Sequence, residues 1–311
     1  MPSWQGRSRG NTTGFRIFVW VLHHAGLYPA YLLLRIVAFY FFLFSGKAFG
    51  YQYTFFRKHL GFTPWSSFTA IYKNYYWFGQ TIIDRIAVMS AIDDPLRFEF
   101  EGEEHLREMV QRNQGGLLLS AHIGNWEIAG HLLKRLGTEM HIVMYDGEQQ
   151  PLKDYLESIT EKHSARIILI KNDLSHIYAI QEALRKNAFV CMHADRFLEG
   201  NKILSGTLLN ERAAFPAGPF LLARHFGCPV SFVFAMKDQP FDYHFYASPS
   251  KIYSGPRDSI LAAMLSDYCQ AIEKMIHKYP LQWYNYYDFW AEGIEQLPGG
   301  STQPVDAEPT G

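Results

Sequence analysis

Short apolar runs alternate with amphipathic stretches through the middle and later parts of the chain. The apolar runs lie at 117–121, 140–145, 166–170, 188–193 and 229–236. Their β-branched and aromatic residues predict strands. The stretches with helical spacing lie at 125–136, 151–163, 174–187 and 216–226. Strands that alternate with helices predict an α/β fold, with a mixed central sheet flanked by helices.

The composition changes along the chain and predicts four parts. Residues 1–14 are polar and basic, and residues 297–311 are rich in Pro and Gly, so both segments are predicted to be disordered. Residues 15–92 form a hydrophobic helical region, and residues 93–296 form the α/β domain.

The α/β domain ends in an aromatic segment. An amphipathic helix over 257–279 leads to the sequence QWYNYYDFW at 282–290. Alternation along an extended chain would place its aromatic side chains on both faces. A core strand and an aromatic belt at a membrane interface both fit this pattern.

The N-terminal hydrophobic region holds two nearly continuous apolar runs, 15–26 and 27–44. A secretory signal peptide fits poorly, since no small-residue cleavage site ends a short apolar core. The second run could just span a bilayer, but Arg35 lies at its middle and basic residues flank both sides. We therefore predict helices that dock on the membrane, with a bend at Gly26 and Pro29; a buried helical hairpin is the alternative.

Charge and cysteine content exclude several classes of protein. The formal net charge of −1 gives no basic field for nucleic acid, so no nucleic-acid partner is expected. Cys191, Cys228 and Cys269 have neither the spacing of a disulfide framework nor that of a zinc site. Unpaired cysteines are typical of a reducing compartment.

The most informative motif is HIGNWE, in which His122 precedes Glu127 by five positions. The spacing alone is weak, because the chain has 13 His and 30 acidic residues, and a second such pair occurs at His141 and Asp146. The second pair lies in a β-branched and aromatic run. In a strand, positions five apart point to opposite faces, so those two side chains are not expected to meet.

The backbone predicted for HIGNWE is different. The apolar strand ends near Ala121, Gly124 permits a tight turn, and Asn125 is a good N-cap for the next helix. His122 on the strand end and Glu127 in the first helical turn can therefore converge. A helix N-terminus also favours an ionised carboxylate, which suits a group that orients and stabilises an imidazolium.

Two later polar clusters follow strand or turn signals. Asp195 and Arg196, in HADRFLEG, come just after a strand, where polar residues commonly line the crevice of an open α/β sheet. In FPAGPFLLARHFGCPV, Gly218 lies in a turn that opens an apolar helix, so backbone N–H groups and Arg212 could face an anionic group. An ordinary ion pair and an ordinary helix start remain the alternatives.

The chain combines HIGNWE behind an apolar strand, then HADR, then FPAGPFLLARHFGCPV, with a hydrophobic N-terminal anchor. In this combination it resembles the lysophospholipid acyltransferase superfamily. Within it, the chain resembles the lipid A late acyltransferases (lauroyl and myristoyl acyltransferase-like) over roughly residues 15 to 290. The FPAGP sequence lacks the acidic-Gly-Thr pattern of glycerol-phosphate acyltransferases. A phosphatidic acid synthase is therefore less expected.

The resemblance implies a glycerolipid acyltransferase-like fold, with His122 as general base and Glu127 as its orienting carboxylate. The residues expected to bind substrate are Asn125, Asp195, Arg196, Arg212 and Gly218. The reaction implied moves a fatty acyl group from an acyl-ACP or acyl-CoA thioester to a hydroxyl of a lipid A-like or other lipid acceptor. No metal and no cofactor are expected. The expected location is the cytoplasmic face of the inner membrane.

Two other functions stay open at this point. The same dyad could activate water and hydrolyse a lipid ester. The chain could also be a non-catalytic lipid-binding protein on the same fold. A serine nucleophile at Ser120 is disfavoured, because the chain has no G-x-S-x-G elbow.

Overall fold

The protein is described here from a computed structural model. The residues described are 12–89, 96–126, 128, 136–145, 165–171, 173–198 and 200–290. The predicted helix 151–163, most of the predicted helix 125–136 and the predicted disordered tail 297–311 lie outside these ranges. Glu127 and Asp146 also lie outside them.

Four α-helices form the N-terminal region, as the apolar pattern predicts. They are α1 (Thr12–Ala25), α2 (Leu27–Phe44), α3 (Lys47–Thr54) and α4 (Pro64–Met89), with a π-helical turn at Phe55–His59. The first helix therefore begins inside the segment 1–14 predicted to be disordered. Gly26 separates α1 from α2 with a φ of 82°, a left-handed conformation that favours glycine, and Pro29 lies in the first turn of α2.

Helix α2 has one buried face and one exposed face. Leu27, Tyr31 and Leu34 point inward and pack in one cluster with α4 and with strand residues of the α/β region. The exposed positions along α1, α2 and the start of α4 include large apolar side chains. This apolar face comprises Trp20, Tyr28, Leu32, Ile36, Phe39, Tyr40, Leu43, Phe44 and Trp65. Among the described residues, α2 is the one helix long and apolar enough to cross a membrane.

A seven-stranded sheet forms the centre of the molecule. Its strands are β1 (Arg97–Glu101), β2 (Gly116–Ser120), β3 (Met140–Tyr145), β4 (Ala165–Ile170), β5 (Phe189–His193), β8 (Val230–Gln239) and β9 (Asp242–Ala247). Their order is β1-β9-β8-β2-β5-β3-β4. Five strands run parallel, while β9 is antiparallel to β8 and β1 pairs with β9. The sheet is mixed, which confirms the predicted fold class.

The remaining elements pack around this sheet. Among the described residues, the other α-helices are α5 (Glu103–Gln111), α6 (Ser175–Arg185), α7 (Ala217–Phe226) and α8 (Arg257–Lys278). A separate antiparallel hairpin joins β6 (Ile203–Leu208) to β7 (Glu211–Pro216). Strand β2 is fully buried and apolar on both faces, as expected for an interior strand of a parallel sheet.

The aromatic segment 282–290 is mainly part of the core. After a short 3-10 turn at Pro280–Gln282, Trp283 makes an isolated antiparallel bridge to Ile123, and the following residues are irregular. Trp283 is 1% exposed, and Tyr284, Tyr287 and Phe289 are also buried. This segment covers the sheet next to the end of β2, and most of its aromatic rings are buried in the core.

Candidate active site

The HIGNWE motif forms a turn at the carboxyl end of β2. His122 is the second residue after the strand, and three backbone hydrogen bonds fix the turn. His122 accepts from Tyr284 N–H at 3.1 Å, Gly124 donates to Gln282 O at 2.9 Å, and Asn125 donates to Ala235 O at 2.7 Å. The turn is thus tied both to the neighbouring strand β8 and to the aromatic segment.

Gly124 meets two requirements that other residues do not. Its φ is 66°, and a Cβ at this position would lie 2.1 Å from Ala235 O. Because that neighbour is backbone, it cannot move aside as a flexible side chain can. The glycine predicted to allow a turn is therefore needed for close approach as well.

Gly124→Ala is expected to lower the free energy of unfolding by about 2 kcal/mol, through left-handed strain and the clash with Ala235. Chemical denaturation measures the loss. Gly50→Ala is the matched control, because Gly50 lies in α3 with open space where its Cβ would stand. Equal stability of the two variants would contradict this account of the turn.

A buried carboxylate holds His122 from the neighbouring strand. Asp195 follows β5, which pairs with β2, and its Oδ1 lies 2.8 Å from His122 Nδ1. Its Oδ2 accepts from the His122 backbone N–H at 2.9 Å. The Asp195 side chain is 3% exposed and that of His122 is 24% exposed. The aspartate therefore fixes both the ring and the backbone of the histidine, while the imidazole stays accessible.

The charge of Asp195 is stabilised by its neighbours. Burial alone would raise the pKa of this carboxyl, but His122 and Arg196 hold it well below its usual range. Arg196 is anchored in turn by the aromatic segment. Its Nη2 donates to Tyr284 O at 2.7 Å, and its guanidinium lies 5.7 Å from the centre of the Tyr287 ring. Asp195 is thus ionised, so the Nδ1 of His122 carries the proton in their hydrogen bond.

The depressed pKa of Asp195 predicts a pH dependence of stability. A carboxyl whose folded pKa is lowered stabilises the fold fully above its unfolded pKa, near 4, and loses that contribution as the pH falls through the folded value. The difference in unfolding free energy between wild type and Asp195→Asn should therefore be largest near pH 7 and shrink below about pH 4. Denaturant unfolding at several pH values measures it; a constant difference would contradict the expectation.

A second imidazole stacks on the first. His193 ends β5, and its ring lies 4.2 Å from that of His122 between centroids, at an interplanar angle of 25°. The Trp126 ring meets His193 edge-on, at 4.6 Å. Burial and the adjacent His122 hold the pKa of His193 well below its usual value, so this ring is neutral. The stack packs one face of His122 without placing a second positive charge beside it.

His122, His193 and Asp195 are of the residue types that bind metal ions, and their ligand atoms lie within 4.8 Å of one another. The arrangement fits a metal poorly. The two rings stack, so their nitrogens lie in nearly parallel planes, whereas a tetrahedral ion needs lone pairs that converge. The arrangement favours a hydrogen-bonded acid–base pair.

The other residues predicted to bind substrate differ in burial and in location. Asn125 is buried, and its side-chain amide donates to Thr81 O and to the Tyr243 hydroxyl, both at 3.1 Å. Arg212 extends from β7 and donates to Ser205 Oγ across the hairpin at 2.7 Å, while Gly218 lies in the first turn of α7. The structure thus brings His122, Asp195 and Arg196 together. The substrate-binding roles of Asn125, Arg212 and Gly218, and the role of Glu127, stay predictions.

Sequence reasoning missed the partnership of Asp195 with His122 and the place of His193. One signal was available, because His193 ends one strand, His122 lies two residues after the end of another, and a parallel sheet brings its strand ends to one edge. That signal became decisive only with the strand order, which makes β2 and β5 neighbours.

A histidine held by a buried carboxylate at the ends of neighbouring parallel strands defines an α/β protein equipped for acid–base chemistry. The family model for bacterial lipid A biosynthesis acyltransferases matches residues 69–290, more than two thirds of the 311 residues. The chain belongs to this family and is an acyltransferase, which confirms the resemblance to the lipid A late acyltransferases. A search of curated proteins finds no match to the chain.

Proposed function

We propose that the protein transfers a fatty acyl group from a thioester, on acyl carrier protein or coenzyme A, to a hydroxyl of a lipid A-type or related lipid. His122 is the general base, and Asp195 is the carboxylate that orients it. The observation that carries the proposal is the 2.8 Å contact between His122 Nδ1 and Asp195 Oδ1 within the matched family region. Neither a metal nor a cofactor is needed for this chemistry.

The hydrogen bond to Asp195 assigns the proton transfer to the other ring nitrogen. The acceptor hydroxyl gives its proton to His122 Nε2 as its oxygen attacks the thioester carbonyl. The C–S bond of the tetrahedral intermediate then breaks, and the departing sulfur takes the proton back from Nε2. Asp195 holds the tautomer and stabilises the imidazolium between the two steps, as in other histidine–carboxylate pairs.

The oxyanion of the intermediate requires hydrogen-bond donors. Arg196 is the candidate supported by position, because it lies beside Asp195 and is fixed by Tyr284 and Tyr287. Its guanidinium is a planar, positively charged group of N–H donors, which is the kind of group that stabilises an oxyanion. Backbone N–H groups near Gly218 and the side chain of Arg212 remain further candidates.

A thioester assay tests the proposal against its alternatives. Purified full-length protein receives a labelled acyl thioester on each carrier, with and without a lipid acceptor, and both thiol release and acylated lipid are measured. Acceptor-dependent thiol release with matching acylated lipid is expected. Thiol or ester cleavage without acceptor would favour a hydrolase, and no turnover would favour a lipid-binding protein. Mass spectrometry of the lipids from a deletion strain would then identify the acceptor and the chain length.

The apolar face of α1, α2 and α4 supports membrane docking. An acceptor that resides in a bilayer must be reached there, and this face presents Leu32 and Ile36 at 64% and 70% exposure. Arg35 lies on the same exposed side, where a long side chain can reach the headgroup layer. The three cysteines are free, which agrees with a cytoplasmic face where thiols stay reduced. We propose docking on the cytoplasmic leaflet of the inner membrane.

Leu32→Glu with Ile36→Glu is expected to lower vesicle binding at least about tenfold, since each apolar side chain contributes about 1.5–3 kcal/mol when buried. Sedimentation with phosphatidylethanolamine and phosphatidylglycerol vesicles measures it. Leu174→Glu with Tyr178→Glu is the matched control, because it makes the same changes in charge at exposed apolar positions near and on α6. Equal loss in both doubles would show a general charge effect instead of a docking face.

A further inference from the structure

A buried polar network lies beneath the histidine turn. Its centre is Asp84 on α4, whose carboxylate accepts from Lys237 Nζ at 2.6 Å and from the hydroxyls of Tyr31 and Tyr243. Lys237 Nζ also donates to the Tyr31 hydroxyl, at 2.8 Å. The side chains of both Asp84 and Lys237 are wholly buried. Four elements, α2, α4, β8 and β9, therefore meet at one carboxylate.

The network reaches the turn through Asn125. The Tyr243 hydroxyl donates to Asp84, so it is free to accept from Asn125 Nδ2, at 3.1 Å. The same amide group donates to Thr81 O, one turn before Asp84 on α4. Asn125 is part of the turn that begins with His122. The contacts thus form a continuous path from α2 to the catalytic base: Tyr31, Asp84, Tyr243, Asn125.

A second path runs along β8. The side chain of Gln282 makes two hydrogen bonds to the backbone of Lys237. The Lys237 N–H donates to Gln282 Oε1 at 3.0 Å, and Gln282 Nε2 donates to Lys237 O at 2.7 Å. The backbone carbonyl of Gln282 accepts from Gly124 N–H. The network therefore holds the turn at two successive residues, Gly124 and Asn125.

A buried ion pair is a poor means of stabilising a fold, because desolvation offsets much of the attraction between the charges. Such a pair does fix geometry, since each partner has a defined set of donors and acceptors. The two hydrogen-bond paths described above connect the Asp84–Lys237 pair to helix α2 at one end and to the turn that bears His122 at the other. The buried pair therefore fixes the positions of α2 and the turn more than it stabilises the fold.

We infer that Asp84, Tyr243 and Asn125 are positioning residues that couple the seating of helix α2 to the placement of His122. The inference rests on the proposed function, in which His122 is the base and α2 contacts the membrane. It adds that the apolar N-terminal region is a working part of the active site as well as an anchor.

Two conservative variants test the coupling in the full-length protein. Tyr243→Phe removes the hydroxyl that joins Asn125 to Asp84, and Tyr31→Phe removes the hydroxyl from α2; neither changes volume much. Tyr243→Phe is expected to lower kcat about tenfold, and Tyr31→Phe to lower it less, with KM for thioester and acceptor within about twofold of wild type. Misplacing a base acts on the chemical step, so kcat should carry the effect.

Tyr253→Phe is the matched control. The Tyr253 hydroxyl donates to Asp267 at 2.8 Å, and that carboxylate also pairs with Lys251, so the same Tyr–Asp–Lys chemistry occurs away from the turn. This variant should keep the wild-type kcat. Unchanged kcat in all three variants, with a lower melting temperature in the first two, would show a merely structural network and overturn the inference.

Amide hydrogen exchange separates this inference from the proposed function. The N–H groups of Gly124 and Asn125 are bonded to fixed carbonyls, so their exchange should become about tenfold faster in Tyr31→Phe and stay unchanged in Tyr253→Phe. If wild type shows no acyl transfer, the proposed function fails and exchange alone decides the coupling. Exchange at the turn unaffected by Tyr31→Phe would refute the coupling even if acyl transfer is observed.

Discussion

His122→Ala is expected to lower kcat for acyl transfer by about 10²–10⁴-fold, the usual contribution of a positioned general base. The fold should survive, because the imidazole is partly exposed and the turn is held mainly through backbone hydrogen bonds to Ala235, Gln282 and Tyr284. Initial rates with saturating thioester and acceptor measure the loss, and circular dichroism with cooperative unfolding establishes that the variant is folded. His225→Ala, at an exposed position on α7, should retain the wild-type rate.

Asp195→Asn identifies which carboxylate orients the base. The amide keeps the shape but cannot hold the same tautomer or stabilise an imidazolium, so the rate should fall nearly as far as in His122→Ala. The double variant should be little worse than His122→Ala alone, because residues that act as one unit are not additive. If Asp195→Asn keeps its rate while Glu127→Gln loses it, Glu127 is the orienting group, as the spacing of the motif predicts.

Lys237→Met is expected to lower the free energy of unfolding by about 3–5 kcal/mol, because it leaves the Asp84 carboxylate buried without its ammonium partner. Burial lowers the pKa of Lys237, while Asp84 opposes that shift and favours the charged form. Asp84 therefore favours the charged form of Lys237 in a place where an unpaired charge would be unfavourable. Denaturant unfolding, with the slope compared between variants, measures the loss.

Lys251→Met provides the surface comparison for Lys237→Met. Lys251 pairs with Asp267 at 2.7 Å, but the two side chains are 56% and 35% exposed, so the loss should be below about 1 kcal/mol. Similar losses for the two lysines would mean that the Asp84 pair is far better solvated than its burial indicates. A double variant, Asp84→Leu with Lys237→Met, should recover part of the stability, since no unpaired charge then remains.

Local patterns predicted the elements whose signal is local. The five apolar strand runs, the helices over 174–187, 216–226 and 257–279, and the break at Gly26 were all legible from periodicity and turn residues. The sequence does not predict four of the strands, namely β1, β9 and the hairpin strands β6 and β7. In β1 (RFEFE) and β9 (DYHFYA) the alternation is present in the sequence. Polar residues at every second position of β1 and β9 leave no continuous apolar run to mark them as strands.

The contacts that define the site join residues far apart in the chain, so local sequence patterns cannot predict which residues are partners. Asp195 meets His122 across 73 positions, and Lys237 meets Asp84 across 153. The position of Asp195 after a strand predicts that it lines the site, but its partner depends on β2 and β5 being neighbours. The HIGNWE motif favours Glu127 as the partner of His122 because a short motif can reveal only carboxylates that are close in sequence.

The contacts of the aromatic segment have a consequence for biosynthesis. Gln282, Trp283 and Tyr284 supply the groups that fix the turn after His122, yet they lie late in the chain. A nascent chain therefore cannot fix the turn that bears His122 until most of the protein has left the ribosome. Helices α1 and α2, with their apolar face, emerge long before. If these helices dock on a membrane, as proposed, synthesis from the N-terminus gives them time to reach it before the turn that bears His122 is fixed.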